Sequence, residues 1–66
     1  MGEDNLSLYT ERDAARMISC SVALMRKWRL FHEGPAYCKI GRLVRYRQED
    51  LTAFLDQHRV DTGGGR

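Results

Sequence analysis

The sequence predicts a mainly α fold, with three short helices and one small β-hairpin placed between the second helix and the third. Three observations lead there. Two amphipathic stretches, 10–18 and 21–32, are separated only by the link Ser19-Cys20-Ser21. Gly34-Pro35 then breaks the helical pattern, and strand-type residues follow on both sides of Gly41-Arg42. Finally, Gln48-Glu49-Asp50 places acids at the head of a last apolar-periodic stretch. The 66 residues make a single small domain, close to the lower limit for a core that folds unaided.

Taken in order, residues 1–7 are polar and read as a flexible lead-in, with Leu8 and Tyr9 a short apolar step onto the core. Thr10 is a good N-cap, and Glu11 and Asp13 suit the positive end of a helix dipole. Ala14, Ala15, Met17 and Ile18 supply the apolar side, so the first helix should stop near Ile18. Ser21 caps a second helix after a turn of three residues, which is the helix-turn-helix arrangement. At about 100° per residue, Leu24, Met25, Trp28 and Phe31 fall on one arc, with Trp28 as core anchor. The opposite arc carries Val22, Ala23, Arg26, Arg29 and Leu30, with Lys27 on its flank. In the hairpin, Val44 and Tyr46 alternate against Leu43, Arg45 and Arg47, so the basic residues of the second strand share a face. Leu51, Phe54, Leu55 and His58 form the expected buried stripe of the third helix. The expected domain is therefore 8–59, a helix-turn-helix followed by a hairpin and a third helix, with 60–66 a flexible glycine-containing tail.

Charge is distributed unevenly. Between Arg26 and Arg47 seven basic residues face the single acid Glu33, a local +6 that leaves −4 elsewhere for the overall +2. A positive footprint confined to one segment suits a phosphate-binding face. The longest apolar run, Val22 to Met25, is far too short to span a membrane, and the acidic, polar start has no signal-peptide layout, so a cytoplasmic chain is expected. Cys20 and Cys38 lie at no zinc-finger spacing from His32 or His58, so they read as small reduced hydrophobes, and neither metal nor cofactor is expected. No glycine-rich phosphate loop or nucleophile elbow is present, and an enzyme is not expected.

A helix that enters the major groove needs its far side anchored in a core, and cationic side chains on both flanks to fix its register on phosphates. The second helix and hairpin supply both. Arg26 and Arg29 are positioned to reach base edges, and Ala23 leaves room for close approach. Arg42 at the hairpin tip reaches the neighbouring minor groove or backbone, while Lys39, Arg45 and Arg47 hold phosphates. The candidate DNA contacts on the second helix are Ser21, Val22, Ala23, Arg26, Lys27 and Arg29, and those on the hairpin Lys39, Arg42, Arg45 and Arg47.

Ala14-Ala15-Arg16-Met17-Ile18, Ser21, Trp28, Gly34-Pro35, Tyr37, Lys39-Ile40-Gly41-Arg42, Val44-Arg45-Tyr46 and Glu49-Asp50-Leu51 together resemble the excisionase-type helix-turn-helix family. They are also similar to AlpA-type phage regulators and, more distantly, to the N-terminal domains of MerR regulators. The resemblance covers about residues 8–58. Its most specific part is the tryptophan followed by G-P-x-Y-x-K-I-G-R and V-R-Y-x-x-E-D-L. It implies a small winged helix with recognition through Ala23, Arg26, Lys27 and Arg29 and wing contacts through Arg42 and Arg45. Val22 and Leu24 depart from the polar or proline residues common in relatives, and His32 stands where glycine is usual. So short a chain of this family is expected to be a recombination directionality factor that bends attachment-site DNA for a phage-type integrase, with head-to-tail self-association on DNA. A small transcriptional regulator of a mobile element is the alternative, and a module binding an acidic protein partner is a third.

Overall fold

The structure, a computed structural model, describes residues 8–61. The expected lead-in 1–7 and residues 62–66 of the expected tail lie outside the described residues. The elements in chain order are β1 (Leu8–Tyr9), α1 (Glu11–Met17), α2 (Val22–Leu30), β2 (Cys38–Ile40), β3 (Leu43–Arg47) and α3 (Gln48–Gln57). Three helices and a small antiparallel sheet make a winged helix-turn-helix, the fold class expected from the sequence.

Local chemistry accounts for the helix ends. Thr10 Oγ1 accepts the Asp13 backbone N–H at 3.1 Å, and Ser21 Oγ accepts that of Leu24 at 3.0 Å. Each hydroxyl satisfies one of the donors that a helix start leaves without a partner. Both helices also end alike. In α1 the Cys20 N–H donates to Ala15 O at 2.8 Å and Ser19 to Arg16 O; in α2 Glu33 donates to Trp28 O at 2.6 Å and His32 to Arg29 O. These are Schellman ends, which place one residue in the left-handed region, and here the residues are Ser19 (φ 59) and His32 (φ 57) rather than glycine. The departure at His32 therefore leaves the helix end intact. After it Gly34 (φ +81) lies so close to Trp28 that a Cβ there would meet that residue's Cβ at 2.8 Å.

Leu8 and Tyr9 do more than touch the core. They pair antiparallel with β3 (Leu8↔Arg47, Tyr9↔Tyr46), while β2 takes the other edge (Cys38↔Arg45, Ile40↔Leu43). The sheet order is β1-β3-β2, so the expected two-stranded hairpin is part of a three-stranded sheet. Gly41 (φ +62) is the only hairpin-loop residue with positive φ, which fits a two-residue turn that begins on glycine. β3 runs directly into α3, whose cap Arg47 makes no side-chain cap bond; Glu49 and Asp50 in the first turn complement the exposed N–H groups electrostatically.

The core is Ala14, Ala15, Met25, Tyr46 and Leu51, one or two residues from each helix and from β3. Tyr9, Ile18, Cys20, Val22, Trp28 and Val44 pack around it. The two alanines let α1 approach α2 closely, and burying Met25 contributes on the order of 1.5–3 kcal/mol.

Two expected stripes are corrected. On α2, Met25 is fully buried, but Phe31 is 58% exposed, Leu24 is half-buried, and Val22 packs on the core instead of facing outward. Phe31 is the C-cap, with φ −101 and ψ 13, so the helical count of 100° per residue no longer applies to it. The inward set is Val22, Met25, Trp28 and Arg29, a rotation of roughly 80° from the expected arc at about 100° per residue. On α3, Leu51 and Phe54 pack inward whereas Leu55 and His58 are exposed; the His58 ring lies over Phe54 at 4.3 Å and Phe54 against Trp28 at 5.2 Å.

Candidate nucleic-acid interface

The outward face of α2 carries Ala23, Arg26, Lys27 and Leu30, all exposed and spaced i, i+3, i+4, i+7. Leu30, 74% exposed, does not extend the core. Beside this face lies a cleft of about 580 Å³ between the start of α1, α2 and the wing hairpin. Arg12, Arg26, Arg29, Arg42 and Arg45 line it, together with one acid, Glu11. Five arginines and one glutamate give the lining a formal charge of 5 − 1 = +4, and guanidinium donors suit phosphate oxygens.

Glu11 sits at the start of α1, where its sequence suggested only a partner for the helix dipole. Its carboxylate instead joins two helices. Arg26 Nε and Nη2 donate to Oε2 at 3.1 and 2.6 Å, and Arg29 Nη2 donates to Oε1 at 2.9 Å. Hydrogen bonding from Arg26 lowers the Glu11 pKa; partial burial opposes this, and Arg29 adds to the lowering.

The two arginines differ. The Arg26 side chain is 64% exposed and, among the described residues, is held by Glu11 alone, whereas that of Arg29 is 18% exposed. Arg29 Nη1 also donates to the Tyr46 hydroxyl at 2.8 Å, and its guanidinium lies 5.7 Å from the centre of the Tyr37 ring. Burial works against the Arg29 charge, and the bonds to Tyr46 and Glu11 outweigh it, so its pKa is raised. Burial likewise raises the Tyr46 hydroxyl, with Arg29 acting in the opposite sense. Arg29 is thus a post tying α1, α2 and β3 together, and its expected place on the outward arc is corrected: two acceptors and an aromatic face draw it inward. Val22, also expected at the interface, contributes to packing.

The other expected residues are placed as follows. Ser21 is exposed, with its hydroxyl used as the N-cap of α2. Lys27, Lys39 and Arg42 are exposed and form no ion pair among the described residues. Arg45 is half-buried and donates to Val44 O at 2.8 Å, and Arg47 pairs with Glu49 at 2.7 Å. The structure brings Arg26, Arg29, Arg42 and Arg45 into one cleft. Glu11, Tyr37 and Tyr46 were missed as members of the site, because 15 and 18 residues separate Glu11 from Arg26 and Arg29, 17 separate Arg29 from Tyr46, and no local pattern encodes such contacts. The thiols of Cys20 and Cys38 are free and half-buried, and burial raises the Cys20 pKa. Among the described residues no group of three or more His, Cys, Asp or Glu is placed to hold a metal, and no helix is long and apolar enough to cross a membrane.

Residues 8–59 match a protein-family model described as a helix-turn-helix domain. Comparison with curated protein sequences finds no match.

Proposed function

The chain belongs to the helix-turn-helix domain family, DNA-binding domains of the AlpA and excisionase type, and we propose that it is a sequence-specific binder of double-stranded DNA that acts as an excisionase. The observation that carries the binding reading is the joint cationic surface formed by the outward face of α2 and the arginine-lined cleft beneath the wing. A duplex laid on this surface takes α2 in its major groove, with Arg26 and Lys27 toward base edges and the wing residues Lys39, Arg42 and Arg45 on flanking phosphates. The chain works by binding and deforming DNA, with no catalytic residue and no cofactor. The excisionase reading is supported by the tryptophan, the G-P-x-Y-x-K-I-G-R run and the V-R-Y-x-x-E-D-L run. Its partner in that reading is a phage-type integrase, and copies of the chain bind adjacent sites.

The test is a salt titration of duplex binding, followed by target identification. Lys39, Arg42 and Arg45 as phosphate contacts give a slope of log K against log salt of about −2.7. A slope near zero overturns DNA binding. Stepwise complexes and a bend on attachment-site DNA of the parent element are expected; binding confined to a promoter operator makes the chain a transcriptional regulator instead.

A further inference from the structure

We propose that Glu11 is an affinity-limiting residue of the DNA-binding face: it holds Arg26 in competition with DNA phosphates and so weakens binding to a random duplex. This inference rests on the DNA-binding reading and assigns a role within that site.

The geometry of the carboxylate points there. A carboxylate and a phosphate offer a guanidinium similar oxygen acceptors, and both are bound through the same fork of donors. Glu11 receives two donors of Arg26 on one oxygen and one donor of Arg29 on the other. Among the described residues it is the sole acid lining a cleft that five arginines share. The internal anion therefore occupies the place where an incoming phosphate oxygen would bind Arg26.

The asymmetry between the two arginines makes this a competition. Arg26 is exposed and has Glu11 as its partner, so it can exchange one oxygen acceptor for another. Arg29 is withdrawn and keeps Tyr46 and the Tyr37 face whatever Arg26 does. When Arg26 leaves, Glu11 remains paired with Arg29 at 2.9 Å and is not left as an uncompensated charge. A lone phosphate contact gains little from the exchange, because it replaces one charge-assisted pair with another. A base edge with two acceptors on one plane, as on guanine, matches the guanidinium fork and adds the discrimination of a bidentate contact. The carboxylate thus lowers the affinity for a random duplex, where Arg26 has only a phosphate to gain.

Glu11→Gln keeps the shape and removes the charge. Binding of a random-sequence duplex of about 30 base pairs is measured by fluorescence anisotropy across a range of salt for the wild type, Glu11→Gln, Arg26→Ala and the double variant. Glu11→Gln is expected to bind about five- to tenfold more tightly at low salt, with a slope steeper by about 0.9, the signature of one further phosphate contact. In the Arg26→Ala background the substitution should change neither quantity. An unchanged slope in Glu11→Gln overturns the inference, and so does a gain that persists without Arg26, which would mark a general effect of net charge. Weaker binding by a folded Glu11→Gln also overturns it and makes the carboxylate a positioning group for Arg26. Wild-type protein that binds no duplex at low salt sinks the DNA-binding reading itself, and the inference with it. Should Glu11→Gln fail to fold, the wild-type Arg26 Nε–H resonance decides: it should shift when saturated with random duplex, and an unmoved resonance overturns the exchange.

Discussion

Glu11 shows how one side chain takes two roles with very different sequence signatures. As an acid in the first turn of α1 it complements the helix dipole, and that role follows from its position after Thr10. As the carboxylate between Arg26 and Arg29 it depends on a contact across 15 residues of chain. Its titration reports the second role. Hydrogen bonding to Arg26 lowers its pKa in the folded state, so the folded chain binds this proton less readily than the unfolded chain. Its contribution to stability is present above the ordinary carboxylate value and is lost as pH falls through the lowered one. Thermal melts of the wild type and Glu11→Gln should therefore differ at neutral pH and converge in acid. A difference that stays constant across that range would mean that the ion pairs add nothing to stability. Thr10 and Ser21 stand at the other extreme, since each cap finds its acceptor role within three residues, and the sequence shows both.

Among the elements, α2 carries the most of both packing and function. Its apolar residues are compatible with two neighbouring faces, and nine residues are too few for periodicity to choose between them. The choice falls to what the helix meets. Ala14 and Ala15 of α1 and Tyr46 of β3 admit Met25 fully, Val22 at the edge and the Arg29 guanidinium, and leave Phe31 outside on the C-cap. Met25→Ala is expected to cost about 2–5 kcal/mol, in a domain so small that most of its stability goes with it. Phe31→Ala should stay within about 0.5 kcal/mol of the wild type. Urea unfolding checks the pair, and equal losses would restore the arc that the periodicity suggests. The ends of this helix were easier to read than its face: Ser21 opens it and Gly34-Pro35 follows its close, both through short-range backbone chemistry. His32 in the left-handed region shows that a Schellman end tolerates a side chain where glycine is usual.

Across the whole molecule, the +6 segment became an oriented surface because β3 bonds to strands on both sides. β1 pairs at its end near Tyr46 and Arg47 and β2 along the rest, so the hairpin is fixed to the body of the domain and holds Arg42 and Arg45 over the same cleft as Arg26. This arrangement separates two kinds of contact. Arg42→Ala, at the wing tip, should weaken specific and random duplexes alike and make the salt slope shallower by about 0.9. Arg26→Ala should instead relax discrimination between duplexes. Competition binding with a selected and a random duplex measures both, and identical losses for the two variants would contradict the division of labour.

The order of the elements, their caps and turns, the segment that carries the charge and the broad DNA-binding class all follow from residues near one another in the chain, since hydrogen-bond caps, positive-φ glycines and hydrophobic period act over a few positions. The third strand, the rotation of α2, the inward turn of Arg29 and the clamp of Glu11 on Arg26 were decided only on folding. Each is a pairing between groups distant in sequence, and a short amphipathic helix or a two-residue strand leaves its partner open until the rest of the core is in place.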